Sequence, residues 1–569
     1  MSRTGSARSV VCVGAGPAGL LAATQIKLAR PGWHVVVHER APKDVTYGYG
    51  VVFSDAAVRT IEYLAPELGE LLATQTRWDD VEIRAHGRRY RVPGHGYAAL
   101  SRHRLLDALA GRAAAVGVDM RYETPTTLGE LRDEYDLVIA ADGAHSQIRR
   151  ELAAELGATV HWGRSRFAWL GTTAGFDAMT FIFERVRDTV VVAHGYPHDD
   201  GLSTFVVEVP GPAPAPTEAG ADPEPVLAEW SEVFADHLGG HRLRTNDLRW
   251  ERFPVVRLRD CVYRNVVVIG DAAHTVHYSV GSGTRMALED GFHLARSVAH
   301  HDEPASALAE YQRRRLPGVA ELQSTGERSM RWFEHVPDHL RKGPAPFAVH
   351  LLTRTNGVPL SRLAEAGRLT DDATEALTGR PMPRGDVLAV PLTVGSVRLP
   401  GRLAMRTPTD APGVVPVAVL DLADVASAAD PVGSPVLAVD LGPCAADPDV
   451  ERTNTLVTMD ALRAADLPEG SVLAIRSVLP AAVDRPPPAL LARLRALCAV
   501  DRCDLVDLAA GDDRSGVALA VALETADLVR RPLNRPVMVS GFRAAPDVVR
   551  THLLAGRIDL WCAEPGAWP

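Results

Sequence analysis

SVVCVGAGPAGLLAATQIKLAR, residues 9–30, decides the fold. A β-branched run from Ser9 to Val13 feeds a glycine turn, and the turn opens an apolar stretch that reads as a helix. HVVVHE at 34–39 is a second short buried strand, so the chain opens β-α-β. The turn, GAGPAG, fits GxGxxG with Gly14, Gly16 and Gly19, and Ala18 stands before the last glycine. The first glycine permits a tight turn and the second lets a pyrophosphate approach the backbone. The third packs helix on strand while the helix N-terminus faces the anion. Glu39, twenty residues after Gly19 and followed by Arg40, is placed to accept hydrogen bonds from a ribose. These are the parts of a dinucleotide site.

Two later stretches repeat an apolar strand followed by a polar glycine turn: DLVIAADG at 136–143 and NVVVIGDAAH at 265–274. Between them FAWLGTT, MTFIFERV, TVVVAHGY and STFVVEV, within 160–208, predict an antiparallel sheet in a separate lobe. VPGPAPAPTEAGADPEP at 209–225 reads as a surface loop leading into a helix near 226–238. The pattern from 281 to about 335 is helical, and the His pair at 300–301 reads as a helix C-terminus rather than a metal pair. Pro and Gly gather at 378–390, which sets a domain boundary, and α/β patterning resumes to the end.

The chain has 569 residues, a length that favours three or four domains at about 150 residues each. A net charge of −10 without a basic block argues against a nucleic-acid binder. No segment reaches the roughly 18 unbroken apolar residues of a membrane helix. The six cysteines (12, 261, 444, 498, 503 and 562) are scattered without a CxxC, as expected of reduced thiols in a cytoplasm, and no metal site is expected.

NVVVIGDAAHTVHYSVGSGTRMALEDG (265–291) and DGAHSQIRR (142–150) resemble the flavin motifs of the group A aromatic hydroxylases. With the N-terminal turn they form three motifs in family order, each about 130 residues apart. The resemblance implies FAD. It places Asp271 on the ribityl chain and turns the glycine-rich helix start, with Gly281, Gly283 and Thr284, toward the isoalloxazine. Gly270, Asp142 and Gly143 belong to the same two turns. YGYGVVFSD (47–55, with Val51), LSRHRLLDAL (100–109), HYSVGSGTRMALED (277–290) and LLTRTNG (351–357) are similar to the salicylyl-CoA 5-hydroxylase and 2-aminobenzoyl-CoA monooxygenase/reductase branch. That branch has Trp at the position of Tyr49, and an arginine matching Arg102 that contacts flavin there would do so here. With one dinucleotide fingerprint, NAD(P)H acts as a transient co-substrate. Reduced FAD would react with O₂ to a C4a-hydroperoxide that attacks an electron-rich aromatic ring, free or as a CoA or carrier-protein thioester. Candidates on the substrate side are His277, Tyr278, His194 and Tyr196; His86, His95, His198 and His335 read as surface residues.

After the boundary, PLTVGSVRLPGRLAMRTP (391–408), VAVLDLADVAS (417–427), VLAVDLG (436–442), LAIRSV (473–478), CDLVDLAAG (503–511), PVMVSG (536–541) and LLAGRIDL (553–560) resemble, in order, the old yellow enzyme barrel. The 182 residues of 388–569 are short of the about 200 such a barrel needs, and the family's His-x-x-His/Asn pair is missing between VLAVDLG and LAIRSV. Asp440 replaces the family's glutamine, no arginine follows Arg557, and Arg476 alone stays in register. FMN is therefore not expected. The expected fold is α/β: a Rossmann-like FAD-binding domain (1–155 and 255–385) with an interleaved antiparallel-sheet substrate domain (156–254), followed by a shortened TIM-barrel-like α/β domain (388–569), degenerate and read as non-catalytic. A homodimer, a carrier protein or a partner enzyme are compatible with it. Two alternatives stay open: a flavoprotein reductase or oxidase without oxygen insertion, and a flavin-holding partner subunit.

Overall fold

The computed structural model describes residues 8–43, 45, 48–199, 201–210, 222–355, 367–378, 392–394, 397–399, 402–406, 414–421, 436–441, 472–479, 486–498, 503–510, 516–530 and 535–563. Most of the Pro/Ala-rich loop, the boundary segment at 379–390, Cys444 and the interval expected to lack the barrel's catalytic strand lie outside the described residues. Two compact units divide at Pro337/Asp338, ahead of the boundary expected from the sequence, so the helices Pro344–Leu352 and Arg368–Thr378 belong to the second unit.

In the first unit a six-stranded sheet runs Val262–Tyr263, Val266–Val268, Leu137–Ala140, Ser9–Val13, His34–His38, Asp119–Arg121. It is parallel except for the Val262–Tyr263 edge. Its strands are β-branched runs because both faces are covered. Val10 and Cys12 enter one apolar core, with the helix Pro17–Ala29, while Val11 and Val13 enter the other, with Leu128 and Ile148. The helix Gly283–His300 lies close against Pro17–Ala29: a Cβ on Gly291 would stand 2.7 Å from the Ala18 carbonyl oxygen.

The expected antiparallel lobe is present as the strands Thr159–Thr172, Met179–Val186, Thr189–Asp199 and Leu202–Val209. It also takes in Val81–Ala85 and Arg88–Val92, because Val81–Ala85 pairs parallel with Met179–Val186 across a long loop in sequence. The two-residue period splits this sheet chemically. Ala168, Leu170, Phe205 and Val207 pack on Trp230 and Phe234 beside the helix Glu224–Val233. Phe167, Trp169, His194 and Glu208 take the opposite face. A small sheet of Gly50–Ser54, Tyr97–Ser101 and Thr76–Trp78 completes the unit. The helical stretch is Gly283–His300 followed by the long helix Pro304–Glu334.

In the second unit seven parallel strands close into a barrel: Leu403–Arg406, Val414–Asp421, Val436–Asp440, Val472–Val478, Leu505–Ala509, Val537–Ser540 and Leu560–Ala563. The first strand pairs with the last, Leu403 opposite Trp561. A hairpin, Leu392–Val394 with Val397–Leu399, precedes it. No helix among the described residues is long and apolar enough to cross a membrane.

Candidate active site

The glycine turn is built as its spacing requires. Gly14 has φ +106°, and a Cβ there would fall on the Ala141 carbonyl oxygen, so neither conformation nor space admits another residue. A Cβ on Gly16 would meet nothing within 4 Å, leaving the face over the helix start open for an approaching phosphate. The Glu39 carboxylate accepts from the amides of Ala15 and Ala41, each at 2.8 Å, which fixes it beside the turn. Arg40 is exposed. Asp142 accepts from the Gln147 amide at 2.8 Å through Oδ2, while its buried Oδ1 has no partner in the protein. Gly143 has φ +81° in the same turn.

The third turn is held from below. Asp290, fully buried, accepts from the Gly270 amide at 2.7 Å, lies 2.7 Å from His274 Nε2 and pairs with Arg315 Nε at 2.5 Å. Burial alone would raise this carboxyl, but His274 and Arg315 outweigh it and hold Asp290 at about 2. Gly270, at φ +61°, has Ala18 Cβ 2.9 Å from where its own Cβ would stand, which explains the small residue at 18. Arg149 donates to the carbonyls of Ala272 at 2.9 Å and Ala144 at 2.6 Å, tying the second turn to the third.

Asp271 caps this arrangement. Its side chain is exposed at the end of the turn. Burial raises its carboxyl, and Arg102, the first residue of the helix Arg102–Ala115, draws it back down. Gly281 has φ +65° and lies against Val52, beside Val51 in the strand Gly50–Ser54. Gly283 and Thr284 start the helix Gly283–His300. An orphaned buried carboxylate oxygen, an open glycine turn and an exposed acid under the influence of an arginine are the donor and acceptor set an FAD molecule needs, so the residues present fit the group.

Three of the four substrate-side candidates come together. The rings of His277 and Tyr278 stand 4.2 Å apart, and His194 is 5.5 Å from Tyr278. Phe167, Phe253 and Phe333 wall the cluster. The Tyr278 hydroxyl donates to Glu208 at 2.6 Å, and His194 Nε2 lies 3.6 Å from the same carboxylate. His277 Nδ1 is 2.7 Å from Ser279 Oγ, itself 2.7 Å from Ser329 Oγ. Burial raises the Tyr278 phenol well above its ordinary value, and the Glu208 charge adds to it. Burial would also raise Glu208, but the neighbouring imidazoles of His194 and His277 and the hydrogen bond from Tyr278 hold it below the usual carboxylate range. Tyr196 stands apart, its hydroxyl donating to the Gly50 carbonyl at 2.9 Å.

Sequence reasoning missed Glu208, Asp290 and Arg315. The signal for Glu208 was present: an acid at an inward position of the otherwise apolar STFVVEV. His198 is a correction. It is 2% exposed rather than on the surface, with Nδ1 3.1 Å from Thr204 Oγ1, because it shares the inward face of its strand with His194 and Tyr196. In the second unit His339, His350 and Asp527 converge at ligand spacing, where Lys342 Nζ already pairs with Asp527 at 2.9 Å.

The family profile described as FAD binding domain matches residues 95–325, and that described as lycopene cyclase protein matches 9–158. The chain is 39% identical over 424 residues to salicyloyl-CoA 5-hydroxylase of a Streptomyces species, covering 71% of this chain and 81% of that one. It is also 39% identical over 326 residues to 3-hydroxy-4-methyl-anthranilyl-(aryl-carrier protein) 5-monooxygenase of Streptosporangium sibiricum, covering 57% and 89%. Among solved structures it resembles the tetrameric form of 2-methyl-3-hydroxypyridine-5-carboxylic acid oxygenase, at 20% identity over 62% of this chain and 97% of that one, with a TM-score of 0.47.

Proposed function

Because the chain belongs to the family of FAD-dependent aromatic monooxygenases, we propose that it hydroxylates an electron-rich arene presented as a thioester, on coenzyme A or on a carrier protein, with NAD(P)H as transient reductant. The observation that carries this reading is the aromatic-walled cluster that His277 and Tyr278, just after the flavin turn, form with His194 of the antiparallel sheet. The two relatives act on a coenzyme A thioester and on a carrier-bound aryl group by their names.

Bound FAD supplies the electrophilic oxygen once reduced in the presence of O₂. Glu39 would hold the adenosine ribose, and Asp271 with Arg102 the ribityl end. The helix start at Gly283 and Thr284 would face the ring system. Phe167, Phe253 and Phe333 exclude water from the reacting ring. His277, oriented by Ser279, is the candidate to accept a ring proton.

The barrel is read as a remnant of an old yellow enzyme domain, without FMN. Arg476, the cation left in register with that family, is bound at 3.0 Å to Asp440, at 2.9 Å to Asp507 and at 2.9 Å to Ser540. Two carboxylates on one guanidinium leave no positive field for a flavin phosphate. A panel of free aryl acids and their coenzyme A thioesters, followed by NAD(P)H oxidation, O₂ uptake and product mass, tests the function. Thioester-dependent O₂ uptake with one added oxygen atom supports it. NAD(P)H oxidation without O₂ uptake, coupled to substrate reduction, overturns it.

A further inference from the structure

Glu208 is an anomaly in the aromatic site. Its side chain is 0% exposed, and the ion-pair partner the structure gives it is an imidazole, His194, at 3.6 Å. The other polar group on it is the Tyr278 hydroxyl at 2.6 Å, a neutral donor. Its second oxygen, Oε1, is buried without a hydrogen-bond partner. On the neighbouring strand, Phe167 stands opposite Glu208 and Val192 opposite it on the other side. The nearest guanidinium in register, Arg166, is one position from Phe167 and so projects to the other face. The groups that titrate around Glu208 are therefore His194, His277 and Tyr278.

We propose that Glu208, standing behind Tyr278, is a specificity-determining residue whose fixed negative charge excludes free aryl carboxylates from the site and admits rings whose acyl group is neutral. The proposal rests on the thioester reading above and supplies a physical reason for it: a thioester or amide removes the substrate charge that Glu208 repels. The ionised state this requires is the one its surroundings favour, since His194 and Tyr278 both stabilise the anion. Two like charges about 7 Å apart, at an effective dielectric of about 20, weaken binding by on the order of 50-fold. Glu208 acts through space by its charge rather than by touching the ring, so it sets specificity and is not a catalytic residue.

The test uses the full-length, FAD-loaded enzyme at pH 8.5, far above the ordinary imidazole range. Three probes share one ring whose amino group is uncharged at this pH: 2-aminobenzoate, 2-aminobenzamide and the 2-aminobenzoyl thioester of N-acetylcysteamine. Binding is read from the perturbation of flavin absorbance. Wild type should bind the neutral probes at least about 10-fold more tightly than the carboxylate. Glu208→Gln, which keeps the shape and an acceptor for Tyr278, should bring the carboxylate to within about 3-fold of the amide. Tyr278→Phe retains the charge and should retain the discrimination. The proposal is overturned if wild type binds the carboxylate as tightly as the amide, or if Glu208→Gln holds one FAD per chain and keeps the full discrimination. Loss of discrimination in Tyr278→Phe also overturns it. Should Glu208→Gln lose FAD, the wild-type ratio decides alone. Binding of the amide but not of the thioester refutes the thioester reading and leaves the role of Glu208 standing; a panel in which nothing binds refutes both.

Discussion

Asp290→Asn removes one charge from the fully buried support of the flavin turn. In the native protein that carboxylate accepts from the Gly270 amide, His274 and Arg315 at 2.5–2.7 Å. Its carboxyl is held at about 2 against an ordinary 3.8, a difference that corresponds to about 2 kcal/mol of stability at pH 7. Breaking a buried ion pair by deleting one partner costs about 3–5 kcal/mol, because the remaining charge is left uncompensated. The amide preserves shape and one acceptor, so the expected loss lies between these figures, about 2–5 kcal/mol. At about 2–4 °C per kcal/mol the melting temperature should fall by at least about 4 °C. A folded pKa below the unfolded one contributes stability that is full above about 3.8 and is lost as pH falls toward about 2, so variant and wild type should converge only in that acid window. The same substitution leaves one acceptor for the Gly270 amide, His274 and Arg315, which loosens the turn that carries Asp271. FAD should then dissociate at least about 10-fold more readily, for a loss of about 1.4 kcal/mol or more. Thermal unfolding followed by circular dichroism, with flavin content per chain after dialysis, measures both effects. A variant that melts within about 2 °C of wild type and keeps its FAD would refute the support role of Asp290.

Asp271→Ala should leave a folded chain with FAD affinity reduced 10- to 150-fold, about 1.5–3 kcal/mol for a lost charged hydrogen bond; unchanged 450 nm absorbance after dialysis would remove it from the site. Gly14→Ala should abolish flavin retention, because the methyl group meets the Ala141 carbonyl at a positive φ; recovery of a fully flavinated variant would contradict that geometry. Acid-released flavin from the purified protein should chromatograph as FAD at one equivalent per chain with no FMN, whereas an equivalent of FMN would mean that the barrel binds it despite Asp440 and Asp507. Tyr278→Phe should lower the hydroxylation rate by about 10-fold or more without changing FAD content, as loss of a hydrogen bond to a charged group predicts; an unchanged rate would exclude the Tyr278–Glu208 pair from the chemistry.

How much of this was legible depended on distance along the chain. The Ser9–Val13 strand, the glycine turn, Glu39 and the two later turns each lie within a few residues, and local spacing carries their chemistry. The four long strands of the substrate sheet were legible for the same reason, through runs of apolar and β-branched residues. The membership of Val81–Ala85 in that sheet was not, because parallel pairing with Met179–Val186 leaves no trace in local periodicity. The support of the flavin turn was equally hidden: Asp290 reaches Gly270 from the next helix, and Arg315 reaches Asp290 from the one after it. His198 was misplaced on the surface because a histidine in a strand carries no sign of which face is covered.

The sequence by itself determined the glycine turns, the order of the flavin motifs and the identity of the residues that follow the third turn. Those features are set by backbone conformations that particular residues alone permit, above all glycine at positive φ beside a carbonyl. The tertiary structure alone decided which buried charges meet. Glu208 and Tyr278 lie 70 residues apart and become partners only when one face of the substrate sheet closes over the turn after His274. A carboxylate removed from water must find its donors wherever the fold supplies them, and that pairing is a property of packing rather than of any segment.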